Sequence, residues 1–179
     1  MTANDVLRFW FEELEPKQWY VKDENLDREI RQKFEETIEA AKVGELHTWR
    51  KTPDGRLAEI IVLDQFTRNA YRGQATCFAG DPVAVVLSQE AYFSRQFEKV
   101  DKKRQSFFFM PLMHSESKSV HELAVEVFTL LGADGPIEYE MKHKAIIDKF
   151  GRYPHRNEIL GRQSTPEEIE FLKEPGSSF

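Results

Sequence analysis

The stretch Leu26-Asp27-Arg28-Glu29-Ile30-Arg31-Gln32-Lys33-Phe34-Glu35-Glu36-Thr37-Ile38-Glu39-Ala40-Ala41 decides the fold class. Leu26, Ile30, Phe34, Ile38 and Ala41 return at three- to four-residue steps with charges between them, the period of an amphipathic helix. A helix with one apolar stripe must bury it against other elements. Gly44 supplies a stop or hinge after it.

The same period extends outward in both directions. Val6, Leu7, Phe9, Trp10, Phe11 and Leu14 predict a first helix, capped by Asn4 or Asp5 and ended by Pro16. On the other side, Pro53-Asp54-Gly55 reads as a turn, and a third helix is expected from about Arg56 to Asn69. Asp81-Pro82 opens a helix carrying Val83, Val86, Leu87, Ala91 and Phe97. Residues 99–105 read as a polar loop, and 107–113 as a short buried segment broken by Pro111. Val120, Leu123, Ala124, Val127, Leu130 and Leu131 predict a further helix, ended over 132–136, and Tyr139, His143, Ile146, Ile147 and Phe150 another. Thr165-Pro166-Glu167-Glu168 is a capping box with proline at the first helical position. No strand alternation interrupts the series. The expected fold is all-α, antiparallel helices stacked in a tetratricopeptide-repeat-like, α-solenoid-like single domain over 1–174, with a mobile tail at 175–179.

With 40% hydrophobic residues, 14 Phe and 3 Trp, the chain can build a core. A formal charge of -6 removes the broad positive field that non-specific nucleic-acid binding requires, so nucleic acid is not an expected partner. The apolar runs 60–63 and 107–113 are too short to span a bilayer, and no basic start precedes an apolar stretch, so neither membrane nor export is expected. Cys77 is the only cysteine, which excludes an internal disulfide and a cysteine-based zinc site. The cytoplasm is the expected location, and no cofactor is expected.

Four polar features stand out against this helical background. Asp64 falls on the apolar face of its helix, with Arg68 four residues on, so an Asp64–Arg68 ion pair is expected there. That pair either fixes helix packing, or Arg68, Asn69 and Arg72 project from the helix end toward a pocket. His143 shares a face with Tyr139, Ile146, Ile147 and Phe150 and is either a hydrogen-bonded core residue or a pocket group. His114-Ser115-Glu116 sits where a helix begins. It reads as a cap, as an acid/base pair, or, with His143 or His155, as a metal set, although its spacing matches no zinc motif. Residues 150–162 gather Arg152, His155, Arg156, Asn157 and Arg162, whose guanidinium forks suit carboxylate or phosphate.

Three segments, Leu63-Asp64-Gln65-Phe66-Thr67-Arg68-Asn69, Met110-Pro111-Leu112-Met113-His114-Ser115-Glu116 and Phe150-Gly151-Arg152-Tyr153-Pro154-His155-Arg156-Asn157, resemble in order and spacing the domain of unknown function 924 family. The resemblance implies an all-α fold similar to tetratricopeptide-repeat superhelices and no established activity. It marks Asp64, Gln65, Arg68, Asn69, His114, Ser115, Glu116, His143, Arg152, His155, Arg156, Asn157 and Arg162. The chain departs from it with Thr67 where proline is frequent, and with Ser117-Lys118 and His121 where Asp-Leu and glutamine are frequent.

These features predict a polar site for an anionic small molecule. His114, Glu116 and His155 form its catalytic candidates, and Arg68, Asn69, His143, Arg152, Arg156, Asn157 and Arg162 its ligand-binding set. The alternatives are a scaffold holding a protein partner in a helical groove, and a buried network that only fixes packing.

Overall fold

The structure, a computed structural model, describes residues 1–132 and 136–178. It is all-α among those residues, with helices α1 (Ala3–Arg8), α2 (Glu24–Lys42), α3 (Pro53–Ile61), α4 (Thr67–Ala70), α5 (Asp81–Phe93), α6 (Lys102–Gln105), α7 (Met110–Met113), α8 (Lys118–Leu131), α9 (Pro136–Phe150) and α10 (Pro166–Phe171). Leu26, Ile30, Phe34, Ile38 and Ala41 of α2 are buried, as their spacing requires. They meet α4 and the turn that precedes it, while α1 and α5 pack on α3. One apolar core runs from Val6 to Phe128; a smaller cluster of Ile146, Ile147 and Tyr153 lies against Phe150 and Phe171. No helix among the described residues is long and apolar enough to cross a membrane.

Several boundaries differ from expectation for local reasons. Thr2 caps α1 in place of Asn4 or Asp5; Asp5 instead closes the capping box from the third helical position. Pro53-Asp54-Gly55 is the first turn of α3 and not a separate turn, because the Thr52 hydroxyl accepts from the Gly55 N–H and Pro53 takes the first helical position. Asp101 caps a short helix within the stretch read as a loop. Helix α5 ends at Phe93, and Phe97 reaches the core from a 3-10 turn after Arg95, whose φ is 56°. Val86 and Tyr139 lie largely exposed. Gly132 closes α8 in a left-handed conformation, φ 59°; the remainder of the expected break, 133–135, lies outside the described residues. In the C-terminal tail Ser177 is buried, and its hydroxyl donates to the Leu172 carbonyl.

The element that positions the polar groups is the rod over 53–70. Between α3 and α4, residues Val62–Phe66 form a π-helical turn in which the Thr67 N–H donates to the Val62 carbonyl, five residues back. The Leu63 carbonyl, passed over by this register, accepts instead from the Thr67 hydroxyl at 2.6 Å. The wide turn buries Asp64 and Gln65 together. π-helical turns within α-helices frequently mark functional sites.

Gly80 brings the start of α5 against this turn. A Cβ at Gly80 would lie 2.4 Å from the Leu63 carbonyl oxygen, so only glycine permits the approach that sets Asp81 beside Arg68. Gly80→Ala should cost about 1–3 kcal/mol, as overpacking against rigid backbone does. A thermal melt unchanged from the parent would show that the α5 start yields freely.

Candidate functional site

Asp64 is buried, and three groups converge on its carboxylate. His114 Nδ1 lies 2.7 Å from Oδ1, Arg68 Nη1 lies 3.0 Å from Oδ1, and Gln65 Nε2 donates to Oδ2 at 2.5 Å. Burial alone would raise its pKa; the charges of Arg68 and His114 and the two hydrogen bonds hold it well below the usual carboxylate range. An ionised carboxylate only accepts, so His114 Nδ1 carries a proton and donates it. The expected Asp64–Arg68 pair is therefore present, but it is one side of a larger node. Arg68 also grips Asp81 with both nitrogens, at 2.8 and 3.0 Å, and donates to the Asp64 carbonyl.

The second half of the node comes from the loop after α9. Arg156 is buried, its guanidinium lying between the rings of Phe78 (4.4 Å) and Tyr153 (4.6 Å). It donates to the His114 carbonyl at 2.9 Å and shares Asp81 with Arg68 at 3.4 Å, while its Nε is buried without a hydrogen-bond partner among the described residues. Burial and the nearby Arg68 both push its pKa down. Two guanidiniums thus share one aspartate, and Arg156 keeps unused donor capacity.

Behind His114 lies a sheath of imidazoles about Tyr153. The His143 and Tyr153 rings are 5.9 Å apart, His114 and His143 6.2 Å, and Tyr153 and His155 5.5 Å. Burial and the charge of His114 push His143 down to about 3, and its Nδ1–H donates to the Tyr139 carbonyl. Burial and Arg156 push His155 down to about 4. The Tyr153 hydroxyl donates to the Met113 carbonyl at 2.5 Å, and burial pushes its pKa up.

The remaining motif groups hold the loop in shape. Glu116 is clamped by Arg162 at 2.6 and 2.9 Å and accepts from the Tyr153 N–H. Burial would raise the Glu116 pKa, but Arg162 and that N–H lower it. Arg152 forms a fork with Glu168, which also accepts from Asn157; Asn157 Oδ1 accepts from Arg162. Arg152, Asn157 and Arg162 thus each donate to protein acceptors. Ser115 offers its carbonyl to His121 and its hydroxyl to the Ser117 N–H. Among the described residues, no three histidine, cysteine, aspartate or glutamate side chains are grouped to hold a metal ion. Asn69 stands apart from the node, donating to the Gln65 carbonyl and lining an open groove with Arg72 and residues of α2.

Sequence reasoning missed two contacts of consequence. Asp81 reads as a helix start, yet it ties Arg68 to Arg156. His121 and Glu140, both fully buried, meet at 2.7 Å between α8 and α9. The available signal was placement: His121 precedes Ala124 and Phe128 by three and seven residues, and Glu140 precedes His143 and Ile147 likewise.

A family model described as bacterial protein of unknown function (DUF924) matches residues 6–176. A solved structure of a protein of unknown function from Agrobacterium tumefaciens is 34% identical, covering 97% of each chain with a TM-score of 0.91. Among curated proteins, none matches.

Proposed function

This chain belongs to the bacterial DUF924 family of unknown function, and within it we propose that His114, Arg156 and Arg68 form a site for an anionic small molecule, with His114 as its acid/base group. The observation that carries this reading is the state of His114. A buried carboxylate holds Nδ1 in place, the ring is one-fifth exposed, and Nε2 makes no hydrogen bond to a described residue. A histidine fixed through one nitrogen and open at the other is the arrangement general acid/base catalysis uses. Arg156 adds a cation beside it, held by the His114 carbonyl. The neutral His143 and Tyr153 rings lower the local polarity, which strengthens attraction for an anion. Glu116, His155, Arg152, Asn157 and Arg162 act in this proposal as positioning groups.

The proposal includes tetratricopeptide-repeat-like stacking and a cytoplasmic location. Support for the stacking is that α3 packs on α1, α5 on α3, α7 on α5 and α9 on α7, each helix meeting the second one along.

A thermal-melt series with phosphate and small mono- and dicarboxylates tests the site. A ligand at a hundredfold its Kd adds about 2.7 kcal/mol, which raises the Tm of a domain this size by roughly 5–10 °C. That rise should vanish in His114→Gln and in Arg156→Lys, while both variants still fold. If no anion moves the Tm, or the rise survives both substitutions, the site does not bind as proposed.

A further inference from the structure

We propose a second anion site, separate from the His114 node, in the groove between the start of α2 and the end of α4, suited to a small phosphate-type polyanion. The starting observation is Asn69, a motif residue that the His114 node does not use. It lines an open groove of about 380 Å³ with Lys22, Asp27, Arg28, Arg31 and Arg72, a volume within the range of small-molecule sites.

The groove is basic in an acidic protein. Lys22, Arg28, Arg31 and Arg72 line it against Glu24 and Asp27, four cations to two carboxylates, where the whole chain carries -6. Its floor is built. Arg72 is held by both oxygens of Asp27, at 2.6 and 2.9 Å, and by Asn69 Oδ1 at 2.9 Å. Asn69 is held in turn by the Gln65 carbonyl. Arg72 Nη1 makes no hydrogen bond to a described residue, so the fixed guanidinium keeps one donor nitrogen for a ligand. On the rim, Arg31 pairs with Glu35 and lies 5.4 Å from the centre of the Tyr71 ring. Arg28 donates to Asn25, and Lys22 forms no ion pair with a described residue. A compact polyanion would draw these three rim cations toward the fixed Arg72, the pattern by which guanidinium and ammonium groups hold phosphate. Asp27 competes with such a ligand for Arg72.

Isothermal titration with inorganic pyrophosphate, at ionic strength matched by sodium chloride, tests this. In the His114→Gln chain, which lacks the acid/base group of the first site, saturable one-site heat should remain. Adding Arg31→Gln with Arg72→Gln to that chain should weaken it about tenfold or more, and adding Asp27→Asn should tighten it. The pairs removed are partly exposed, so these variants should keep the parent's circular dichroism. Heat that fails to saturate, or an affinity untouched by the double substitution, overturns the proposal. Heat lost in His114→Gln alone assigns the anion to the first site and overturns this one equally.

Discussion

Asp64→Ala should be the most damaging single substitution in the polar node, lowering stability by about 3–5 kcal/mol, the range found when one partner of a buried ion pair is removed. The carboxylate is 1% exposed and satisfies three groups at once. Without it Arg68 keeps Asp81, but the His114 Nδ1–H loses its acceptor and the Gln65 amide keeps only the weak Met110 sulfur. For a domain of this length the Tm should fall by roughly 10 °C. Asp64→Asn retains acceptor capacity but no charge, so it should fall between the two. Urea melts of the three proteins give the comparison. A loss below about 1 kcal/mol for Asp64→Ala would mean that water, not Asp64, satisfies the node.

The second large effect is a pH profile with a maximum near pH 6.5 and an alkaline limb that one substitution removes. His121 Nε2 faces the Ser115 carbonyl, which only accepts, so Nε2 carries a proton. Nδ1 faces Glu140 Oε1 at 2.7 Å, and two lone pairs cannot sit there together, so one further proton lies between them. Burial raises the Glu140 pKa, against the lowering by His121 and the weaker charges of His114 and Lys144, and Oε2 is buried without a partner among the described residues. The Tyr153 hydroxyl faces the same imidazole at 3.3 Å. The folded pair therefore keeps one proton. In the unfolded chain an ordinary histidine near 6.5 and an ordinary glutamate also hold one in total between about pH 4.5 and 6.5, and none above. Stability should thus decline above about pH 6.5, by up to about 1.4 kcal/mol per pH unit, until the folded pair releases its proton. On the acid side, His143, pushed down to about 3, and His155, down to about 4, stay neutral when folded and charge when unfolded. Their contribution is complete above about pH 6.5 and drains away as the pH falls toward the folded values. Glu140→Gln can donate its amide N–H to Nδ1 of a neutral imidazole without an extra proton. It should flatten the alkaline limb and leave the acid limb in place. Denaturant melts from pH 5 to 9 on both proteins measure this; an alkaline limb equally steep in Glu140→Gln would assign the proton elsewhere.

The helical architecture was legible because its signal is local. The stripe of α2 and the capping box at Thr165 are spacings within a few residues, and both are present as read. Asp64 on a buried face was legible for the same reason. Its partners were less so: Arg68 lies four residues away, but His114 lies fifty away, and no period reports such a meeting. The π-helical turn was hidden because one wider turn barely disturbs the apolar rhythm of Leu57, Ile60, Ile61 and Leu63. The separation of Asn69 from Arg68 follows from elementary geometry, since consecutive residues of a regular α-helix point about 100° apart. The arginines of 150–162 looked available because sequence shows charge without partners; Glu116 and Glu168 supply those partners across 46 and 16 residues.

The most direct test of the central claim is a long-range nitrogen–proton NMR spectrum of histidine-labelled protein during titration with phosphate and then with a dicarboxylate. His114 should show a protonated Nδ1 throughout, and its Nε2 resonance should move saturably with ligand while the His121 nitrogens stay fixed. A His114 with a bare Nδ1, or an Nε2 resonance unmoved by every anion, would contradict it.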